Sequence, residues 1–105
     1  MRILLAAAAA LTLVSAPCLA ETITVDQAGK KFSETEITIR KGDTVRFVNK
    51  DQITHNVYSQ SPGNAFDVKT QKPGEASDVK FDAVGDVDVQ CAIHPSMKLR
   101  IHVTN

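Results

Sequence analysis

The sequence predicts an all-β fold, a small antiparallel sandwich of two sheets. Apolar and polar residues alternate with a period of two along several short segments, which places the apolar side chains on one face of each predicted strand. Turn-forming Gly, Asp, Asn and Pro separate these segments, and no stretch of residues 21–105 has a convincing helical period. About six or seven short strands in one small chain are typical of a β-sandwich.

The first half of the domain contains three alternating segments and one further strand candidate. The first of the four predicted strands ends at the turn formed by Gln27–Lys30. Glu36–Arg40 and Thr44–Asn49 alternate in the same way, and Lys41–Asp43 between them has the composition of a turn. We therefore predict that these two strands pair as a hairpin. The pattern then breaks and resumes at Thr54–Tyr58.

The second half begins with a stretch of different composition. Residues 59–74 are rich in Ser, Pro, Gly, Asn and Lys, which predicts a loop with room for one short turn of helix. Alternation resumes in Ala76–Phe81 and again in Asp86–Gln90, where the valines occupy the inward positions. The next inward position in that phase is Cys91, and Leu99–Thr104 is predicted as the final strand.

The N-terminal residues 1–20 have the anatomy of a secretory signal peptide. Arg2 precedes an apolar core over Ile3–Val14, and small residues lead to a cleavage site expected after Ala20. The apolar core is too short to span a membrane as a helix, so we expect no membrane span after its removal. This leaves residues 21–105 as a single exported domain, which we expect in the periplasm.

Cysteine content and charge narrow the function further. Removal of residues 1–20 takes Cys18 away, so Cys91 is the single cysteine of the predicted domain. Exported domains normally use cysteines in disulfide pairs, so a single one is either buried and inert or reserved for chemistry. The whole chain has 12 basic and 12 acidic residues, and this near-neutral balance argues against a nucleic-acid partner.

A group of soft metal ligands lies near the C-terminal end. Cys91, His94 and Met97 follow one another at intervals of three residues and offer a thiolate, an imidazole and a thioether. Copper prefers such ligands, whereas magnesium and calcium prefer oxygen. Together with His55, they describe a blue-copper site, in which two histidines and a cysteine bind in a plane and a methionine binds weakly along the axis.

Other interpretations of the same residues remain open at this point. A structural zinc site with four Cys and His ligands would need His102, which points outward on its predicted strand. A Cys–His hydrolase would need a separately oriented base, but Cys91 and His94 share one short loop without an acid nearby. Finally, Cys91 could be a core residue of a metal-free interaction module.

Three segments resemble the cupredoxins, the type 1 blue copper proteins. These are the loop Cys91–Met97, the upstream Thr54–Asn56 and the run Ile39–Asn49. The Cys-x-x-His-x-x-Met spacing, with Pro95 after the histidine, is most similar to the short loop of amicyanin and other plastocyanin-like members. The resemblance covers essentially all of residues 21–105 and implies a cupredoxin-like Greek-key sandwich.

The resemblance also implies a role for individual residues. It implies that one copper ion is held by four ligands: His55, Cys91, His94 and Met97. Asn56 matches the family's asparagine that helps tie the two ligand-bearing segments together, and Pro95 belongs to the ligand loop. Ile93 stands where amicyanin has a proline, so it keeps an N–H group. We expect that N–H to hydrogen-bond the Cys91 sulfur and raise the reduction potential.

The function implied is that of a periplasmic electron carrier and not of an enzyme. One copper ion would cycle between Cu(II) and Cu(I), and the expected partners are redox proteins such as a dehydrogenase or a c-type cytochrome. We expect these partners to dock near His94, and the carrier to be a monomer. The alternative is a periplasmic protein that binds or delivers copper without an electron-transfer role.

Overall fold

The structure, a computed structural model, describes residues 19–105. Residues 1–18 of the predicted signal peptide therefore lie outside the described residues. Within the described part, no helix is long and apolar enough to cross a membrane. The same part contains nine strands: β1 Thr22–Ala28, β2 Lys31–Phe32, β3 Glu36–Arg40, β4 Thr44–Asn49, β5 His55–Ser59, β6 Phe66–Gln71, β7 Ala76–Lys80, β8 Gly85–Cys91 and β9 Lys98–Thr104.

The strands form two sheets, which confirms the predicted sandwich. One sheet has the order β2-β1-β4-β7 and the other has the order β3-β9-β8-β5-β6. The sheets are mixed rather than purely antiparallel, because β1 pairs with β4, and β3 with β9, in parallel. Alternation along a strand predicts which face is buried but not the direction of the neighbouring strand. The parallel pairs could therefore not be predicted from the sequence pattern.

The predicted hairpin of β3 and β4 is wrong, although both strands have the expected bounds. The two strands lie in different sheets, and Lys41–Asp43 carries the chain from one sheet to the other. The backbone N–H of Lys41 donates to the carbonyl of Thr104, at 2.7 Å, and that of Gly42 donates to the carbonyl of Phe81, also at 2.7 Å. These bonds to segments of both sheets make the turn a corner of the sandwich.

The predicted loop over residues 59–74 contains a strand that the sequence argument missed. β6 pairs antiparallel with β5, and the register shifts between Asn56 and Tyr58. Lys69 in β6 has a φ of 62°, in the left-handed region. Because β6 is an edge strand with mostly exposed polar residues, only Phe66 and Val68 give it a weak apolar alternation. No helix occurs anywhere in residues 19–105.

The core lies between the two sheets and is centred on aromatic side chains. Phe47 is fully buried, stacks on Phe66 with 5.8 Å between ring centroids, and meets Phe32 edge-on at 6.4 Å. Cys91 and Met97 belong to the same buried cluster. The ligand loop is therefore continuous with the core, which restricts how far it can move.

Candidate metal centre

Three potential metal ligands converge at one end of the sandwich. His55 begins β5, Cys91 ends β8, and His94 lies in the loop that joins β8 to β9. One ligand atom from each of the three lies within 4.8 Å of the others. The neighbouring β5 and β8 run antiparallel, with Val57 opposite Cys91, so the start of one strand and the end of the other meet at the same edge.

Cys91 faces inward, as the strand phase predicted, and its side chain is buried. Its Sγ accepts a hydrogen bond from the backbone N–H of Asn56, at 3.3 Å, and lies 3.7 Å from Nδ1 of His55. An N–H group directed at the sulfur stabilises negative charge on it. The position thus suits a thiolate that binds a metal ion.

His55 is fully buried and makes contacts through both ring nitrogens. Its Nε2 lies 2.5 Å from Oδ2 of Asp51. Because a carboxylate accepts, Nε2 carries the proton and donates it, which leaves the lone pair of Nδ1 directed toward Cys91. Asp51 was not among the residues predicted from the sequence, in which its only signal is a carboxylate four residues before His55.

Asp51 is itself held by the turn between β1 and β2. The backbone N–H of Gly29 donates to its Oδ1, at 2.6 Å, and that of Lys30 donates to Oδ2, at 3.0 Å. Burial alone would raise the pKa of the Asp51 carboxyl, but the hydrogen bonds from His55 and these two amides outweigh burial and lower that pKa. Asp51 is therefore ionised at neutral pH and fixes the proton of His55 at Nε2.

His94 supplies the observation that most directly points to a metal ion. Its Nδ1 is buried and has no hydrogen-bond partner, and its ring centroid lies 5.1 Å from that of His55. A buried nitrogen without a partner is costly unless another group occupies its lone pair. A metal ion bound between the three residues would do so, and two imidazoles with one thiolate suit copper.

Met97, also predicted as a ligand, is buried in the same cluster as Cys91. Its backbone N–H donates to the carbonyl of His94, at 2.9 Å, which closes a tight turn within the ligand loop. Ile93 and Pro95 flank His94 and are exposed. The loop thus directs Met97 inward and leaves apolar residues outside.

Asn56 connects the two ligand-bearing segments through its backbone. Besides the bond from its N–H to the sulfur of Cys91, its carbonyl accepts from the N–H of Ala92, at 3.3 Å. Its side chain turns the other way and donates to Asp67 and to the carbonyl of Lys69 on β6, both at 2.9 Å. Asn56 therefore connects the two ligand segments through its backbone N–H and carbonyl and not through its side chain.

His102 lies outside the group, as the strand phase predicted. It is half-exposed on β9, and its two ring nitrogens face the carboxylates of Glu36 and Asp86. A zinc site that combines Cys91 with all three histidines is therefore not formed.

The fold and the donor set together define a small β-sandwich protein with a type 1 copper site. The sequence model of the family described as copper binding proteins, plastocyanin/azurin family, matches residues 19–104. The chain therefore belongs to the plastocyanin/azurin family of copper-binding proteins, and its cofactor is a copper ion. Members of this cupredoxin class are in general electron carriers.

Solved structures support the same assignment. A Cu(I) form of an amicyanin variant superimposes with a TM-score of 0.72 at 28% identity, over 78% of this chain and 81% of that one. A copper-containing nitrite reductase from Thermus scotoductus gives 0.73 at 29% identity, over 80% of this chain. A purple cupredoxin from Nitrosopumilus maritimus gives 0.70 at 19% identity, over 78% of this chain and 99% of that one, and shows the fold alone.

The match to the nitrite reductase concerns one part of a larger protein, because this chain spans 22% of its length. The sequence has no significant match among curated proteins.

Proposed function

We propose that this protein is a periplasmic electron carrier and that His55, Cys91, His94 and Met97 hold its copper ion. The observation that carries the proposal is the convergence of one donor atom from each of the first three residues within 4.8 Å. When bound, the copper ion supplies one-electron redox chemistry between Cu(II) and Cu(I). Residues 1–20 would direct export and be removed, which leaves residues 21–105 as one domain.

Each ligand has a distinct task in this proposal. Cys91 would provide a thiolate, His55 and His94 would provide imidazole nitrogens, and Met97 would provide a weakly bound thioether sulfur. Since His55 is the first residue of β5 and Cys91 is the last residue of β8, the sandwich itself holds these two donors in one arrangement. A site that changes little between oxidation states favours rapid electron transfer over catalysis, so we infer that the protein is not an enzyme.

The surface around His94 supports a role for docking. Ile93 is 52% exposed, and Pro95 beside it is also exposed, which gives an apolar patch next to a half-buried ligand. A small patch of this kind suits brief encounters with a redox protein such as a dehydrogenase or a c-type cytochrome. Lys98 is exposed nearby, whereas the charge of Arg100 is paired with Asp88 at 3.0 Å. The carrier itself would be a monomer.

The burial of two ligands favours electron transfer over copper delivery. His55 is fully buried and Cys91 is 1% exposed, so neither can pass the ion to an acceptor without opening the sandwich. A delivery protein would need ligands that an acceptor can reach.

Voltammetry on the copper-loaded protein tests the proposal, with two histidine variants as a matched pair. We expect a reversible one-electron wave from the wild type and from His102→Gln, since His102 lies outside the site. His94→Gln should lose the wave or shift it strongly. An irreversible wave from the wild type, together with rapid loss of copper to a competing protein, would favour the delivery function.

A further inference from the structure

Asn49 is a buried polar residue at the end of β4, and it holds the segment that leads to His55. Its Nδ2 donates to the carbonyls of Ile53 and Gln71, both at 2.9 Å, and its Oδ1 accepts from the N–H of Asp51, at 2.9 Å. Both hydrogens of the amide and its oxygen are thus used. The bonds fix two points of the segment 50–54, one near each end.

Two of the three residues that the Asn49 side chain binds, Asp51 and Gln71, contact or adjoin His55. Asp51 lies 2.5 Å from Nε2 of His55, and Gln71 is the residue opposite His55 in the pairing of β5 with β6. Among the described residues, no hydrogen bond joins the Asn49 side chain to Cys91 or His94. Any effect of Asn49 on the site therefore passes through Asp51, Gln71 and the backbone of the segment 50–54.

A hydrogen bond between two glutamine side chains also connects Gln71 to the other sheet. Nε2 of Gln27, on β1, donates to Oε1 of Gln71, at 2.5 Å, and Nε2 of Gln71 donates to the carbonyl of Phe47, at 2.9 Å. The side chains of Gln27, Asn49 and Gln71 are all buried. Buried amides are costly unless satisfied, whereas apolar residues of similar volume would pack here without that cost. Gln71 pairs with His55, and the other two amides bind Gln71, so the buried amides converge on the residue opposite His55.

We propose that Asn49 is a positioning residue for His55. By fixing the backbone of Asp51 and the carbonyl of Gln71, it keeps the proton of His55 on Nε2 and the lone pair of Nδ1 directed at the metal position. The part of the inference that concerns copper rests on the proposed function, whereas the part that concerns the tautomer of His55 does not.

Asn64 offers a matched control. It is also a buried asparagine, with Nδ2 donating to the carbonyl of Ala83 at 2.7 Å and Oδ1 accepting from the N–H of Ala83 at 3.3 Å. It lies in the loop after β5, and β5 runs away from His55, so Asn64 sits at the opposite end of the sandwich. Asn49→Ala and Asn64→Ala each remove one buried, hydrogen-bonded amide.

The first measurement is long-range ¹H–¹⁵N NMR of the metal-free protein. We expect His55 to show a single Nε2–H tautomer in the wild type and in Asn64→Ala, and a mixture of tautomers in Asn49→Ala. If the alanine variant at position 49 does not fold, Asn49→Ser, which keeps one hydroxyl donor, is measured in the same way. A wild-type tautomer in a folded variant at position 49 would overturn the proposal, and so would failure of both variants to fold.

The second measurement is copper binding by the same proteins. We expect Asn49→Ala to bind Cu(II) about 10- to 100-fold more weakly than the wild type, with a shifted visible spectrum, as is usual when a residue that supports a ligand is removed. Asn64→Ala should keep the wild-type affinity and spectrum. Equal affinities and spectra for the two variants would overturn the proposal. If the wild type itself gave no copper spectrum, the proposed function would fail, and the NMR result would still decide the position of the His55 proton.

Discussion

The backbone N–H of Asn56 points at the sulfur of Cys91, and the two atoms lie 3.3 Å apart. The bond joins the residue after one ligand to the side chain of another, 35 positions further along the chain. An N–H donor withdraws electron density from a thiolate, which favours Cu(I) over Cu(II) and raises the reduction potential. The bond therefore couples the pairing of β5 and β8 to the electronic properties of the site.

Ile93 offers the first prediction, because its N–H was expected to reach the same sulfur, whereas the backbone hydrogen bond found to that sulfur among the described residues comes from Asn56. Replacing Ile93 by proline removes that N–H and leaves the Asn56 bond in place. If both groups donate, Ile93→Pro lowers the reduction potential, which voltammetry measures directly, whereas Ile93→Ala leaves it close to the wild-type value. An unchanged potential in the proline variant would leave Asn56 as the donor and contradict the hypothesis for Ile93.

His102 should make the stability of the metal-free protein depend on pH. Hydrogen bonds with Glu36 and then Asp86 raise the pKa of His102, because the protonated ring donates to both carboxylates and the neutral ring donates to only one. This contribution to stability is fully present below the ordinary pKa of 6.5 and is lost as the pH rises through the raised pKa. Arg100 adds a favourable pairing with Asp88, at 3.0 Å.

Urea unfolding from about pH 6 to about pH 9 measures how His102 changes the free energy of unfolding, because this range begins near the ordinary histidine pKa and extends above it. The free energy of unfolding of the wild type should fall relative to that of His102→Gln as the pH rises. Parallel curves for the two proteins would show that the contacts with Glu36 and Asp86 do not contribute.

Asp43 should stabilise the fold in the opposite pH direction. Hydrogen bonds from the backbone N–H groups of Glu21 and then Arg40, both at 2.9 Å, lower the pKa of its buried carboxyl. The contribution is therefore present above the ordinary pKa of 3.8 and disappears as the pH falls through the lowered pKa. Asp43→Asn should lower the free energy of unfolding at pH 7 by about 1–3 kcal/mol.

Denaturant unfolding of wild type and Asp43→Asn at pH 7 and in acid checks this prediction. The difference between the two proteins should shrink as the pH falls. A difference that stayed constant into acid would mean that the charge of Asp43 is not what matters.

Copper should raise the free energy of unfolding, and the rise should grow with the free copper concentration relative to its Kd. A ligand that binds only the native state adds about 2.7 kcal/mol at a free concentration 100 times its Kd. For a domain of this size, that corresponds to a rise of roughly 10–20 °C in the thermal midpoint. Calorimetry with and without copper should show the rise for the wild type and for His102→Gln, and a much smaller one for Cys91→Ser. An equal rise for all three would indicate adventitious binding.

The sequence was sufficient for properties that depend on local pattern. Alternation predicted the bounds of β3 and β4 and the inward position of Cys91, since burial of one face requires a period of two. It could not give strand partners, because Lys41–Asp43 can equally close a hairpin or cross between sheets. The edge strand β6 was missed because its outward residues, such as Lys69, and its loop-like composition conceal the alternation.

The same limit applies to the site. Ligand chemistry and spacing identified His55, Cys91 and His94, and the structure brings all three together. The residues that hydrogen-bond His55, or the segment that leads to it, were not predicted as part of the site. In the sequence, Asn49 is the last residue of a predicted strand and Asp51 lies in the break that follows. Only the folded chain shows that Asp51 contacts His55 and that Asn49 hydrogen-bonds the segment leading to His55.

Addition of Cu(II) to the purified chain of residues 21–105 shows whether Cys91 binds copper as a thiolate. A thiolate bound to Cu(II) gives an intense charge-transfer band in the visible region. We predict this band at a stoichiometry of one copper per chain, and we predict that Cys91→Ser abolishes the band while His102→Gln keeps it. A colourless wild-type product, or a Cys91→Ser variant that retains the band, would contradict the assignment of a type 1 copper site to this protein.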